Sequence, residues 1–113
     1  MEITQDMKNQ LEKWMGNLFH YQYGEIKPGT MSNWETGMIH GVTDIVHIMG
    51  IVNDTKDMKA EIMRAIGIIE AEACRSETIK AVTQNKAKAA ALKTILAYIE
   101  CVEMVGSLEG PQP

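Results

Sequence analysis

The sequence predicts an all-α protein of about four helices, arranged as antiparallel hairpins in a bundle that homo-oligomerisation completes. From Ile68 to Val105, thirty-eight consecutive residues contain neither glycine nor proline. Inside a helix, glycine costs about 1 kcal/mol and proline about 3 kcal/mol relative to alanine. Elsewhere, apolar residues recur at the three- and four-residue spacing of helices. A chain of 113 residues is one domain, and long helices in so short a chain need burial from a partner.

The first predicted helix begins after Thr4, a residue type that caps helices, and ends near Phe19 to His20. Its apolar positions are three or four residues apart: Ile3, Met7, Leu11, Trp14, Met15, Leu18 and Phe19. The following segment, HYQYGEIKPGT, contains two glycines and a proline. These residue types predict an ordered loop.

Ser32 or Asn33 is expected to cap the second helix, which extends to about Met49. Gly37 and Gly41 lie four residues apart on one side, where they allow another backbone to approach closely. The remaining surface carries a broad apolar arc, which predicts a central position in the bundle. Its members are Trp34, Met38, Val42, Ile45, Val46, Ile48 and Met49.

Asp54, followed by Asp57, predicts the start of a third helix. An unbroken helix from Thr55 to Val105 would be roughly 75 Å long at about 1.5 Å per residue, so we expect a break around 75–77. The third helix buries Met58, Ile62, Ile66 and Ile69. The fourth packs through Ile79, Val82, Leu92, Ile95, Leu96, Ile99 and Val102. The predicted core is Trp34, Val42, Ile45, Ile62, Ile66, Leu92, Ile95 and Ile99.

The alanine-rich segment AKAAAL in the fourth helix is expected to let helices of different chains come close. Gly106 ends that helix. We therefore predict a single helical domain over residues 1–106 and a flexible C-terminal tail over 107–113.

Charge and cysteine content narrow the location and the class of partner. The net charge of −4 gives no general attraction to nucleic acid. Cys74 and Cys101 form neither a disulfide framework nor a CxxC pair, which favours reduced thiols in the cytoplasm. The polar start, MEITQDMK, is unlike a signal peptide, and no membrane segment is expected.

The motif content predicts a protein that is not an enzyme and needs no cofactor. The chain has no P-loop, nucleophile elbow or dinucleotide fingerprint, and no Glu-x-x-His of the kind that binds two metals in helical bundles. The leading interpretation is a small oligomeric binding protein that acts by protein–protein interaction, for example on a host protein. Its size and simplicity suit an accessory protein of a phage or mobile element.

A metal site on the second predicted helix is an alternative. His40, Asp44 and His47 are spaced i, i+4 and i+7, which places them on one face. Two imidazoles and a carboxylate suit zinc or iron, although a tetrahedral zinc site needs another ligand, for which His20 is the obvious candidate. The same residues also suit a solvated polar strip.

A third interpretation comes from the order of short motifs over residues 19–75. These are FHY (19–21), KPG (27–29), NWE (33–35), NDTKD (53–57) and AIGIIEAEACR (65–75). Their order resembles the helical hairpin of phage sponge proteins that sequester the cyclic nucleotides of CBASS or Thoeris immunity. The resemblance implies a non-enzymatic oligomer with nucleotide bound between subunits, contacted by Tyr21, Lys27 and Arg75. The helix after residue 76 is additional to that pattern.

Overall fold

A computed structural model describes residues 1–20 and 32–105. It contains four helices: α1 (Gln5–His20), α2 (Asn33–Met49), α3 (Thr55–Arg75) and α4 (Ile79–Val105). The β pairing within the described residues is an isolated bridge between Glu2 and Asp54. The predicted all-α class is therefore confirmed. The predicted loop beyond His20 and the predicted tail over 107–113 lie outside the described residues.

The first three helices begin at the capping residues that the sequence indicates. Thr4 Oγ1 accepts a hydrogen bond of 3.2 Å from a backbone N–H in the first turn of α1. Ser32 and Glu35 form a capping box, in which each side chain accepts from the other residue's backbone N–H. The carboxylate of Asp54 accepts from a backbone N–H of α3 at 2.8 Å. These side chains provide acceptors for N–H groups that have no partner within the helix.

The break between α3 and α4 lies where the sequence predicts it. α3 ends at Arg75, and Ser76 follows with extended backbone angles, φ −70° and ψ 139°. The hydroxyl of Ser76 donates to the carbonyl of Glu72 at 2.8 Å, so this serine closes α3. Thr78, whose Oγ1 accepts from the backbone N–H of Ala81 at 3.1 Å, caps the start of α4.

The core forms where α4 packs along both α2 and α3, while α1 and α3 each contact α2 over a smaller area. Leu11 and Met15 bring α1 into this core. Seven of the eight predicted core residues are buried: Val42, Ile45, Ile62, Ile66, Leu92, Ile95 and Ile99. α4 therefore makes the widest contacts with both α2 and α3, and it is also the helix that contains neither glycine nor proline.

Two residues that we predicted to pack are exposed instead. Trp34 lies on the first turn of α2 and is 46% exposed, and Ile79 is the first residue of α4 and is 86% exposed. Periodicity places both side chains on an apolar side of their helix. Periodicity does not show how far a neighbouring helix extends. The first turns of α2 and α4 are left uncovered by their neighbours, so the prediction that Trp34 and Ile79 are packed was wrong.

Gly37 and Gly41 allow close contact between α2 and α4. A Cβ on Gly37 would overlap the backbone carbonyl oxygen of Gln84, and one on Gly41 would lie 2.8 Å from the Cβ of Ala91. The predicted close approach at these glycines is confirmed. The neighbour is α4 of the same chain, so two alanines of the alanine-rich segment, Ala87 and Ala91, pack within the chain.

Candidate functional site

A groove of about 520 Å³ lies between the second half of α3 and the first half of α4. Its apolar lining consists of Ala73, Cys74, Val82, Ala89 and Ala90. Its polar lining consists of Glu70, Asn85, Lys86 and Lys93. Three of the five apolar residues are alanines, whose short side chains leave the space between the helices unfilled. We call this feature the α3–α4 groove.

Polar contacts join α3 and α4 along the groove. Lys93 Nζ lies 3.0 Å from Glu70 Oε2, and near the helix break Asn85 Nδ2 donates to Ser76 Oγ at 3.5 Å. Because residue numbers rise along α3 as they fall along α4 in these contacts, the two helices run in opposite directions. The Glu70 and Lys93 side chains bind each other, so their charges are compensated within the chain.

The surface around the groove extends along both helices. Gly67 lies four residues after Met63 and three before Glu70, so Met63 and Gly67 share the side of α3 that carries Glu70, and both are exposed. On α4, Leu96 and Ala97 follow Lys93 at the same spacing, and Ala97 is exposed. Met63 is 58% exposed, a high value for a large apolar side chain in the middle of a helix. We call the groove together with these four residues the α3–α4 face.

A buried hydroxyl and an ion pair connect the first turns of α3 to the last turn of α4, away from the groove. Thr55 is buried and donates to Glu103 Oε2 at 2.7 Å, while Lys59 forms an ion pair with the other carboxylate oxygen. The hydrogen bond from Lys59, and then that from Thr55, hold the pKa of Glu103 below its ordinary value of 4.5. The hydrogen bond to Glu103 raises the pKa of Lys59 above its ordinary 10.5.

These pKa shifts predict a small dependence of stability on pH. Because the pKa of Glu103 is lowered in the folded protein, its ionised carboxylate stabilises the fold above pH 4.5. This stabilisation is lost as the pH falls through the lower, folded-state pKa. The charged form of Lys59 stabilises the fold below pH 10.5, and this stabilisation is lost as the pH rises through its raised pKa. We expect Glu103→Gln to lower the thermal midpoint at neutral pH and to approach the wild type in acid. Thermal unfolding of both proteins across pH measures this, and a difference that is independent of pH contradicts it.

The predicted metal ligands lie on α2 near a second, smaller groove. His40 and His47 are exposed, and the carboxylate of Asp44 forms an ion pair with Lys88 at 3.2 Å. Asp44 and His47 line this groove of about 190 Å³ between α2 and α3. Within the described ranges, 1–20 and 32–105, no group of three or more His, Cys, Asp or Glu residues is arranged to hold a metal ion. The metal site stays a prediction.

The residues implied by the sponge resemblance are only partly described. Tyr21 and Lys27 lie outside the described residues. Arg75 is the last residue of α3 and is exposed, next to the helix break. The nucleotide site therefore stays a prediction.

The α3–α4 groove was not predicted as a site. The available signal was the run of alanines in α4, which we interpreted as a contact between chains. The alanines instead divide between two sides of α4. Ala87 and Ala91 face the glycines of α2, whereas Ala89 and Ala90 line the groove.

Comparison of this chain with protein-family models, with curated proteins and with solved structures found no match. Among the helical segments that the structure describes, none is both long and apolar enough to cross a membrane.

Proposed function

We propose that this protein is a non-enzymatic helical interaction protein, whose α3–α4 face binds an amphipathic helix of a protein partner. One observation carries the proposal: two helices running in opposite directions are separated by an open groove with small apolar walls and charged residues among its lining. Such a groove binds by burying apolar surface and needs no chemical step. Amphipathic helices dock in apolar grooves through residues at i, i+3, i+4 and i+7.

The form of the surface favours a helix over a small molecule. Small-molecule sites are concave and have a few polar groups that converge on the ligand. Here Glu70 and Lys93 bind each other and Asn85 donates to Ser76, so Lys86 is the polar lining residue left without an ion pair or side-chain hydrogen bond among the described residues, and one such group is not a converging set. The apolar surface also extends to Met63 on α3 and Ala97 on α4. A partner helix along the groove would cover all of these residues together.

Photo-crosslinking tests this function. We expect p-benzoyl-L-phenylalanine in place of Met63, an exposed residue of the α3–α4 face that does not line the groove itself, to crosslink on irradiation to an amphipathic helical peptide identified by mass spectrometry. The matched control carries the same photoreactive residue in place of Thr43, which is exposed on α2 outside the groove, and should give no such product. Absence of a peptide adduct at position 63, or equal adducts at both positions, would reject the proposal. A second copy of this chain and a different protein give distinct peptide masses, so the experiment also separates these two partners.

A further inference from the structure

We infer that the α3–α4 face binds the same face of a second copy, so that two α3–α4 hairpins form an antiparallel four-helix bundle. This inference rests on the proposed function and names the partner. In a two-fold dimer the same surface serves both subunits and must be complementary to itself. The order of charges along the two helices meets this requirement.

Where α3 and α4 form ion pairs with each other, the paired charges on each helix run from basic to acidic along the chain. α3 carries Lys59 in its first half and Glu70 in its second half, while α4 carries Lys93 before Glu103. Within the chain, the opposite directions of α3 and α4 therefore match basic residues with acidic ones. The ion pairs Lys59–Glu103 and Lys93–Glu70 are the result. These four charges are compensated within the chain, so a second copy that lies antiparallel on this face must find its complementary charges in other residues of α4.

Lys86 and Glu100 on α4, like Lys80, form no ion pair among the described residues, although Glu100 attracts Lys59 over a longer distance. Lys86 lines the groove and is exposed, and Glu100 is exposed near the other end of the helix. They follow the same basic-to-acidic order of α4, with Lys86 before Lys93 and Glu100 before Glu103. A helix of the second copy, lying antiparallel, brings its acidic end to Lys86 and its basic end to Glu100.

The distribution of apolar residues around α4 also indicates an additional neighbour. A helix that is apolar on all sides is typical of one surrounded by other elements. α2 and α3 cover two sides of α4, and the remaining surface still carries the exposed Ala97 and Met104. Ala90 and Gly67 are small enough to let the helices of a second copy approach closely. A bundle of four helices would cover this remaining side.

Native mass spectrometry and light scattering of the full chain over a concentration series test the inference. We expect a dimer for the wild type, and at least about tenfold weaker association for Ala90→Arg, which fills the groove beside Lys86 and Lys93. Thr43→Arg adds the same side chain outside the groove and should associate like the wild type, and circular dichroism should show both variants folded. A monomeric wild type, or a dimer that Ala90→Arg leaves intact, overturns the inference.

A charge exchange gives a second measurement on the same dimer. Lys86→Glu and Glu100→Lys should each weaken association, and the double variant should recover most of the wild-type affinity because the complementary order is restored in reverse. Failure of the double variant to recover contradicts the antiparallel arrangement. If the wild type is a monomer while position 63 crosslinks to another protein, the dimer fails and the proposed function stands. If position 63 gives no peptide adduct, both fail.

Discussion

Gly37→Ala is expected to lower the free energy of unfolding by about 2 kcal/mol, although alanine is the better helix former by about 1 kcal/mol. The added methyl group would overlap the carbonyl oxygen of Gln84 and lie 2.8 Å from the Cβ of Ala87. The oxygen belongs to the backbone of α4, so it moves only if the two helices separate. Separation would in turn loosen the contact at Gly41, one turn further along α2. Chemical denaturation monitored by circular dichroism measures the change.

Gly67→Ala is the matched control for that prediction. Gly67 is also inside a helix, but a Cβ there has no atom within 4 Å among its described surroundings. The same substitution should therefore raise the free energy of unfolding by up to about 1 kcal/mol. Both variants are measured at low protein concentration, so that self-association through the α3–α4 face does not contribute. Equal effects at the two glycines would contradict the close approach of α2 and α4.

Ile95→Ala is expected to be the most destabilising of these single substitutions, with a loss of about 2–5 kcal/mol. Ile95 has no exposed surface and lies in the core on α4, between α2 and α3. Removing three carbon atoms there takes away apolar burial and leaves a cavity, because packed helices relax only partly. A decrease in the midpoint of thermal or chemical unfolding measures the effect.

Ile79→Ala provides the comparison on the same helix. Ile79 is 86% exposed, so the substitution removes little burial and should change the stability by no more than about 0.5 kcal/mol. A large loss from Ile79→Ala would show that a neighbouring element covers the first turn of α4. A loss below about 1 kcal/mol from Ile95→Ala would contradict its position in the core.

A dimer through the α3–α4 face would change how this small protein is stabilised. Stability would then depend on concentration, because association stabilises the folded chain by mass action. The face would also be unavailable to a different partner while the dimer is formed. The concentration series and the crosslinked peptide therefore answer one question together: whether this surface holds the protein to itself or to another protein.

The candidate site was only partly accessible from the sequence. The sequence identified the alanine-rich segment as a place of close approach, and the contacts of Ala87 and Ala91 agree with that idea. It did not indicate that the approach lies within the chain. It also did not indicate that Ala89 and Ala90, together with Ala73 of α3, leave a groove. A groove depends on which side chains two helices present to each other, and spacing along one helix does not contain that information.

Within the described residues, the number of helices and most of their ends follow from the sequence alone, because these depend on local interactions. Ser32 and Asp54 cap the turn that follows them, and the break at Ser76 is expected because an unbroken helix from Thr55 to Val105 is too long for a chain of this size. Which apolar residues are buried, and what the small residues contact, depends on how the helices pack against one another. Helical periodicity fixes the side on which a residue such as Trp34 or Gly37 lies. Whether that side meets solvent or a backbone depends on helices that are distant in the sequence, and their arrangement follows from the packing of the whole chain.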